Sequence, residues 1–136
     1  MISSQNRLKN HKNINFYPIG LSDRKATLQF DINGSSSKLS DTGSITIDVN
    51  KLDAIISSPI TFIKMDVEGG ERKVIQGARD LITKFHPRLA ISVYHRADDF
   101  WKIPELIFSI RKDYHIYLRH YTEGIAETVM FFIPEK

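Results

Sequence analysis

Three acids and two glycines stand together at Asp66-Val67-Glu68-Gly69-Gly70-Glu71, directly after the apolar run Ile60 to Met65. A carboxylate that ends an apolar segment faces the crevice beyond it, where it can take a proton or oppose a positive charge. Gly69 and Gly70 let the backbone turn sharply and approach a ligand closely. Free N–H groups at the start of the following helix favour negative charge and would steady Glu68 or Glu71. A purely structural account fits the same spacing: Glu68 and Glu71 cap the helix and Asp66 closes a turn. Tyr94-His95 ends the next apolar run. His95 is of the general-base type, because imidazole changes charge near neutral pH, but a hydrogen-bonded structural role explains it equally. Ser22-Asp23 ends an N-terminal apolar stretch.

Other chemistries find no purchase. His115 and His120 fall in terminal β runs and read as structural. No pair of ligand-type residues has metal-ligand spacing, so no metal is expected. Lys64, inside an apolar run, reaches a carboxylate or extends to the sheet edge. The sequence has neither a nucleophile elbow nor a GxxxxGK phosphate loop.

The elements that position these groups follow from hydrophobic period. Leu8 to Asn15 reads as the polar end of a helix running into a connector. Asn15 to Leu21 reads as a short strand interrupted by Pro18. Ala26 to Phe30 and Ser44 to Val49 alternate across a Ser/Gly-rich loop, which indicates a hairpin or sheet extension. Ile60 to Val67 is apolar on both faces, as in a buried parallel strand. Val74, Ile75, Ala78, Leu81, Ile82 and Phe85 form one stripe of an amphipathic helix. That helix stops at His86-Pro87, since proline disfavours helical geometry in the residue before it. Leu89 to Tyr94 is a second buried strand. Phe100 to Arg111 is a second helix with Pro104 in its first turn. His115 to Tyr121 and Thr128 to Ile133 then pair antiparallel. The order predicts an α/β fold with a mostly parallel sheet and an antiparallel edge, in one domain spanning residues 1–136. Ligands of such sheets bind beyond the carboxyl ends of the strands, which would put Asp66, Glu68, Gly69, His95, Ser22 and Asp23 on one rim.

Composition narrows the class. The chain has 136 residues with 41% hydrophobic and 26% charged, enough for a globular core. Without cysteine, disulfides and thiolate metal sites are excluded. No apolar run approaches a membrane span, and the first residues carry no secretory h-region, so the cytoplasm is the expected location. The net charge of +3 is spread among 16 acids with no basic stripe, which argues against nucleic acid as a partner.

Phe62 to Ile82, FIKMDVEGGERKVIQGARDLI, resembles the hallmark segment of the FkbM-type methyltransferases. Ile19 to Asp23 resembles the family's turn after an early strand, Ser35 to Leu39 its Ser-rich loop, and Ile47 to Asp53 its following stretch. Pro87 to His95, Arg119-His120-Tyr121 and Glu127-Thr128 resemble its later strand and terminal hairpin. The resemblance implies a Rossmann-like fold and methyl transfer from S-adenosylmethionine to a hydroxyl of a sugar or natural-product acceptor. By position it implies Asp66, Glu68 and His95 as catalytic candidates, and Ser22, Asp23, Asp66 and Gly69 as cofactor contacts.

The sequence departs from that family in lacking a GxGxG loop; its glycines lie at 20, 34, 43, 69, 70, 77 and 124. Met1 to Asn13 resembles the tail of the helix after the family's second strand. The expectation is therefore a fold truncated at its N-terminus, with Ile60 to Val67 left as an unpaired edge open to self-association. Weak or absent methyl transfer by this chain alone follows. The alternatives are a non-catalytic remnant or interaction module that does not bind S-adenosylmethionine, and a nucleic-acid-binding module.

Overall fold

The computed structural model describes residues 7–8, 11–33, 36–39, 45–124 and 126–135. The chain divides into two compact units, Met1–Gly20 with Thr27–Asp48, and Leu21–Ala26 with Val49–Lys136. Among the described residues the architecture is mixed α/β, with two four-stranded sheets.

The first sheet contains β1 (Gly20–Leu21), β2 (Ala26–Asn33), β3 (Ser36–Leu39) and β4 (Ile45–Asn50), in the order β1-β4-β2-β3. Pro18 carries no N–H for a ladder, and the strand expected from Asn15 shrinks to Gly20–Leu21. The segment expected as a Ser-rich loop instead contains β3, antiparallel to β2 with Phe30 opposite Leu39. Gly34, Ser35 and residues 40–44 of that expected loop lie outside the described residues. Thr27 Oγ1 donates to Asp48 Oδ1 at 2.7 Å.

The second sheet has the order β5-β6-β8-β7, from β5 (Phe62–Met65), β6 (Arg88–Ser92), β7 (Tyr114–His120) and β8 (Thr128–Pro134). β5 and β6 are parallel neighbours and β8 is antiparallel to both β6 and β7, so β5, β6 and β7 point one way and β8 the other. The expected mostly parallel sheet agrees in strand direction, with the reversed strand β8, not β7, placed beside β6 by the returning hairpin. As an edge strand β5 is half wet: Met65 is buried, whereas Phe62 is 54% exposed. Lys64 is exposed on that edge and makes no ion pair among the described residues. Central β6 is buried from Leu89 to Ser92, with an apolar run to match.

Four helices complete this unit: α1 (Leu52–Ile55), α2 (Glu71–Gly77), α3 (Arg79–Phe85) and α4 (Asp99–Ile110). The single helix expected after Gly70 is two, broken at Ala78, where φ is −113°. Just before the break Gly77 permits a close approach: a Cβ there would lie 2.0 Å from the Ser22 carbonyl oxygen. The exposed N–H groups of α3 find a partner outside the helix. Asp80 and Leu81 N–H donate to the Asp53 carboxylate at 3.0 and 2.9 Å, a capping role supplied from α1. His86 then ends α3 in the left-handed region at φ 50°. Pro104 is the sixth residue of α4, beyond the first turn, so the Phe100 carbonyl loses its helical donor.

Val74, Ile75, Ala78 and Ile82 pack with Leu89, Ile91, Ile103, Ile107, Met130 and Phe132 in one core. This core fixes the ends of β5 and β6, from which the reactive side chains project. Among the described residues, no helix is long and apolar enough to cross a membrane.

Candidate functional site

The chain leaves β5 through a tight turn. The Gly70 N–H donates to the Val67 carbonyl at 3.0 Å, and the two residues between them have positive φ, 52° at Glu68 and 89° at Gly69. Two positive values make this a type I′ turn, comfortable for Gly69 and strained for Glu68. Space is not what requires glycine at 69, since a Cβ would meet Arg96 and His95 at ordinary contact distances of 3.6 and 3.8 Å. Glu71 opens α2 and reaches back, its Oε1 accepting the Val67 N–H at 3.0 Å.

β6 delivers His95 against this turn. Its side chain is 9% exposed, and three acids surround it. Glu71 Oε1 lies 2.9 Å from Nδ1, while Asp66 Oδ1 and Glu68 Oε2 each lie 3.5 Å from Nε2. The Glu71 contact is off the direction of the ring N–H. Both His95 nitrogens and Glu71 Oε2 are thus buried without a hydrogen-bond partner among the described residues. Tyr94 donates to Asp66 Oδ1 at 3.3 Å, and its ring lies 4.2 Å from the imidazole, centre to centre. Partial burial, then the charge of Asp66, holds the Tyr94 hydroxyl above its ordinary pKa.

The loop carrying His95 is clamped from behind. Arg72 Nε donates to Asp99 Oδ1 at 2.8 Å, and its outer nitrogen bonds Asp98. Asp99 is 1% exposed, so its charge needs the guanidinium. The hydrogen bond to Arg72 pulls the Asp98 carboxyl below its ordinary pKa, and the bond to Asp98 raises that of Arg72. The clamp ties the start of α2 to the start of α4, fixing the turn and the His95 loop relative to each other.

Asp66, Glu68, Gly69 and His95 are therefore brought together as the sequence indicates. Ser22 and Asp23 are not brought into this cluster. Ser22 is buried with its carbonyl against Gly77, at the far end of α2, about 9 Å along the axis from Glu71. The common rim assumed that the N-terminal strand shares a sheet with β5; it pairs with β4 instead. Sequence reasoning treated Glu71 as a cap and passed over the Arg72 clamp. The signal was present: Glu71-Arg72 and Asp98-Asp99 open the helices that follow two neighbouring parallel strands, where opposite charges must meet.

A cavity of about 480 Å³ opens at the other end of the strands, lined by Thr61, Phe62, Phe85, His86, Arg88 and Pro134 among others. It lies at the amino ends of β5 and β6, where a parallel pair seldom binds ligands. The acid and base groups converge at the carboxyl ends, and that end is the candidate site. Its exposed carboxylates, Asp66 and Glu68, can oppose a positive charge, and its imidazole is of the type that takes up a proton.

Residues 4–125 match the methyltransferase FkbM domain. The chain is also similar to a crystal structure of methyltransferase FkbM from Methylobacillus flagellatus KT, with 32% identity and a TM-score of 0.80 over 97% of this chain. It spans 32% of the length of that chain. No curated protein matches.

Proposed function

The chain belongs to the methyltransferase FkbM domain family, and on that premise we propose that its Asp66–His95 rim activates a hydroxyl for methylation. The fold is read as Rossmann-like, and the acceptor as a sugar or natural-product hydroxyl. The observation that carries this reading is the imidazole of His95, 91% buried in its side chain yet ringed by three acids at the carboxyl end of the sheet.

S-adenosylmethionine, when bound, supplies an electrophilic methyl on a sulfonium. The residues of this chain do the rest. His95 Nε2 accepts the acceptor's hydroxyl proton, and the buried Glu71 carboxylate, 2.9 Å from Nδ1, compensates the imidazolium that results. Asp66 and Glu68 place negative charge where a sulfonium and an ammonium group are favourable. Asp66 and Gly69 are the donor-side contacts, whereas the Ser22 carbonyl lies against Gly77 at the other end of α2. The Arg72 clamp holds acid turn and base loop in register, and such alignment is worth several kcal/mol in a displacement reaction.

These 136 residues hold no GxGxG loop, and weak donor binding by them alone is expected. That same feature supports the second reading, a non-catalytic module. Transfer of a labelled methyl group from S-adenosylmethionine to a panel of sugar and polyketide-type hydroxyls tests the first. Transfer lost on His95→Gln and Asp66→Asn supports it. Micromolar donor affinity by isothermal titration of the 136 residues would overturn the expectation of weak binding.

A further inference from the structure

A buried carboxylate and a buried imidazole with three polar atoms unpartnered is a costly arrangement unless something binds there. His95 Nε2, Nδ1 and Glu71 Oε2 are those atoms. One donor atom each from Asp66, Glu71 and His95 lies within 4.8 Å of the others. Glu68 adds a fourth group, its Oε2 3.5 Å from His95 Nε2.

Those separations are informative. At 3.5 Å, Nε2 is too far from Asp66 Oδ1 and Glu68 Oε2 for a good hydrogen bond. Two donor atoms on a common ion, each about 2.1 Å from it at a tetrahedral angle, stand about 3.4 Å apart. Glu71 Oε1 is 2.9 Å from Nδ1 but off the ring N–H direction, so a small turn of the ring onto a bound ion would give it the place of the outer carboxylate that orients a ligating histidine. No spacing signal marks the site because the ligands come from two segments, joined only when the β5 turn meets the β6 loop.

We propose that this cluster is a divalent-cation site for a zinc-class ion, ligated by His95 Nε2, Asp66 and Glu68, with Glu71 as the positioning residue on Nδ1. The ion takes the same nitrogen that accepts the acceptor's proton, so cation binding and proton acceptance exclude each other. The site is then a point of inhibition by zinc. The inference shares its residues with the methyl-transfer reading but is tested without turnover.

Titration of the chain with Co²⁺, read by visible absorption and followed by displacement with Zn²⁺, tests it. A saturable Co²⁺ spectrum, abolished by His95→Gln and lost or strongly weakened by Glu68→Gln, is expected. Glu71→Gln weakens binding about 10- to 100-fold, and His115→Gln, on the exposed β7 strand, leaves it unchanged. Glu68 is 76% exposed in its side chain, so its variant keeps the fold if the His95 variant does not. No Co²⁺ spectrum, or one insensitive to Glu68→Gln, overturns the proposal. Methyl transfer that persists in that case leaves the enzymatic reading standing by itself.

Discussion

Glu71 Oε1 sits 2.9 Å from His95 Nδ1 while also accepting the Val67 N–H at 3.0 Å. One buried carboxylate therefore serves both the turn after β5 and the imidazole after β6. If His95 is the base, the nearby carboxylate charge supports the imidazolium that forms. Glu71→Gln is predicted to lower methyl transfer about 10- to 100-fold, and His95→Gln about 10²- to 10⁴-fold. The split between kcat and thermal stability separates position from structure: Glu71→Gln lowers kcat with KM little changed, while a variant that only loosens the fold lowers the unfolding midpoint.

Glu68 is held at φ 52° without glycine's freedom. Strain of this kind costs about 1–3 kcal/mol, set against about 0.5–1 kcal/mol for the added entropy of glycine in the unfolded chain. Glu68→Gly is therefore predicted to stabilise the protein by about 1 kcal/mol in urea unfolding while weakening activity. Destabilisation would show that the Glu68 side chain contributes more to the fold than its exposure suggests.

Arg72 neutralises Asp99, which is 1% exposed. Arg72→Met leaves a buried charge unpaired and is predicted to cost about 3 kcal/mol. Adding Asp99→Asn removes that charge and recovers part of the loss, with a coupling of about 1–3 kcal/mol in the double-mutant cycle. Strict additivity would refute the clamp.

Two groups give the protein a defined pH response. Burial pushes the Tyr114 hydroxyl up from 10.0 to about 12, and it donates to the Pro87 carbonyl at 2.8 Å. A raised folded-state value means the contribution is whole below pH 10 and is lost as pH climbs through about 12. Tyr114→Phe is predicted to cost about 1 kcal/mol at neutral pH and to flatten this alkaline loss. In the other direction, the Arg111 hydrogen bond pulls Asp113 down from 3.8 to about 2. That contribution is present above pH 3.8 and fades as pH falls through about 2. Thermal unfolding across both limbs, with Arg111→Met as the acid control, checks both signs.

The central strand–turn–helix region was legible because hydrophobic period and glycine placement agree there. Val74, Ile75, Ala78, Leu81 and Ile82 are buried as their spacing predicts, and His95 meets Asp66 because adjacent parallel strands must end together. The N-terminal part was less legible. Whether Ser22 reaches the rim depends on which sheet takes β1, and two strand residues carry no information on that choice. The break at Ala78 was likewise invisible, since the apolar stripe runs through it without interruption and the Ser22 segment packed against Gly77 lies more than fifty residues away in sequence. Glu71 reads as a cap from its neighbours alone; only the fold supplies its histidine.

The central claim is that the carboxyl-end rim, and not the amino-end cavity, receives the methyl donor. Backbone amide shifts during titration of the labelled chain with millimolar S-adenosylmethionine measure this directly. Donor bound at the rim moves Asp66 to Gly70 and His95 and leaves Thr61, Phe62 and Phe85 to Arg88 in place. Shifts confined to the cavity, or none at the rim at saturating donor, would contradict it.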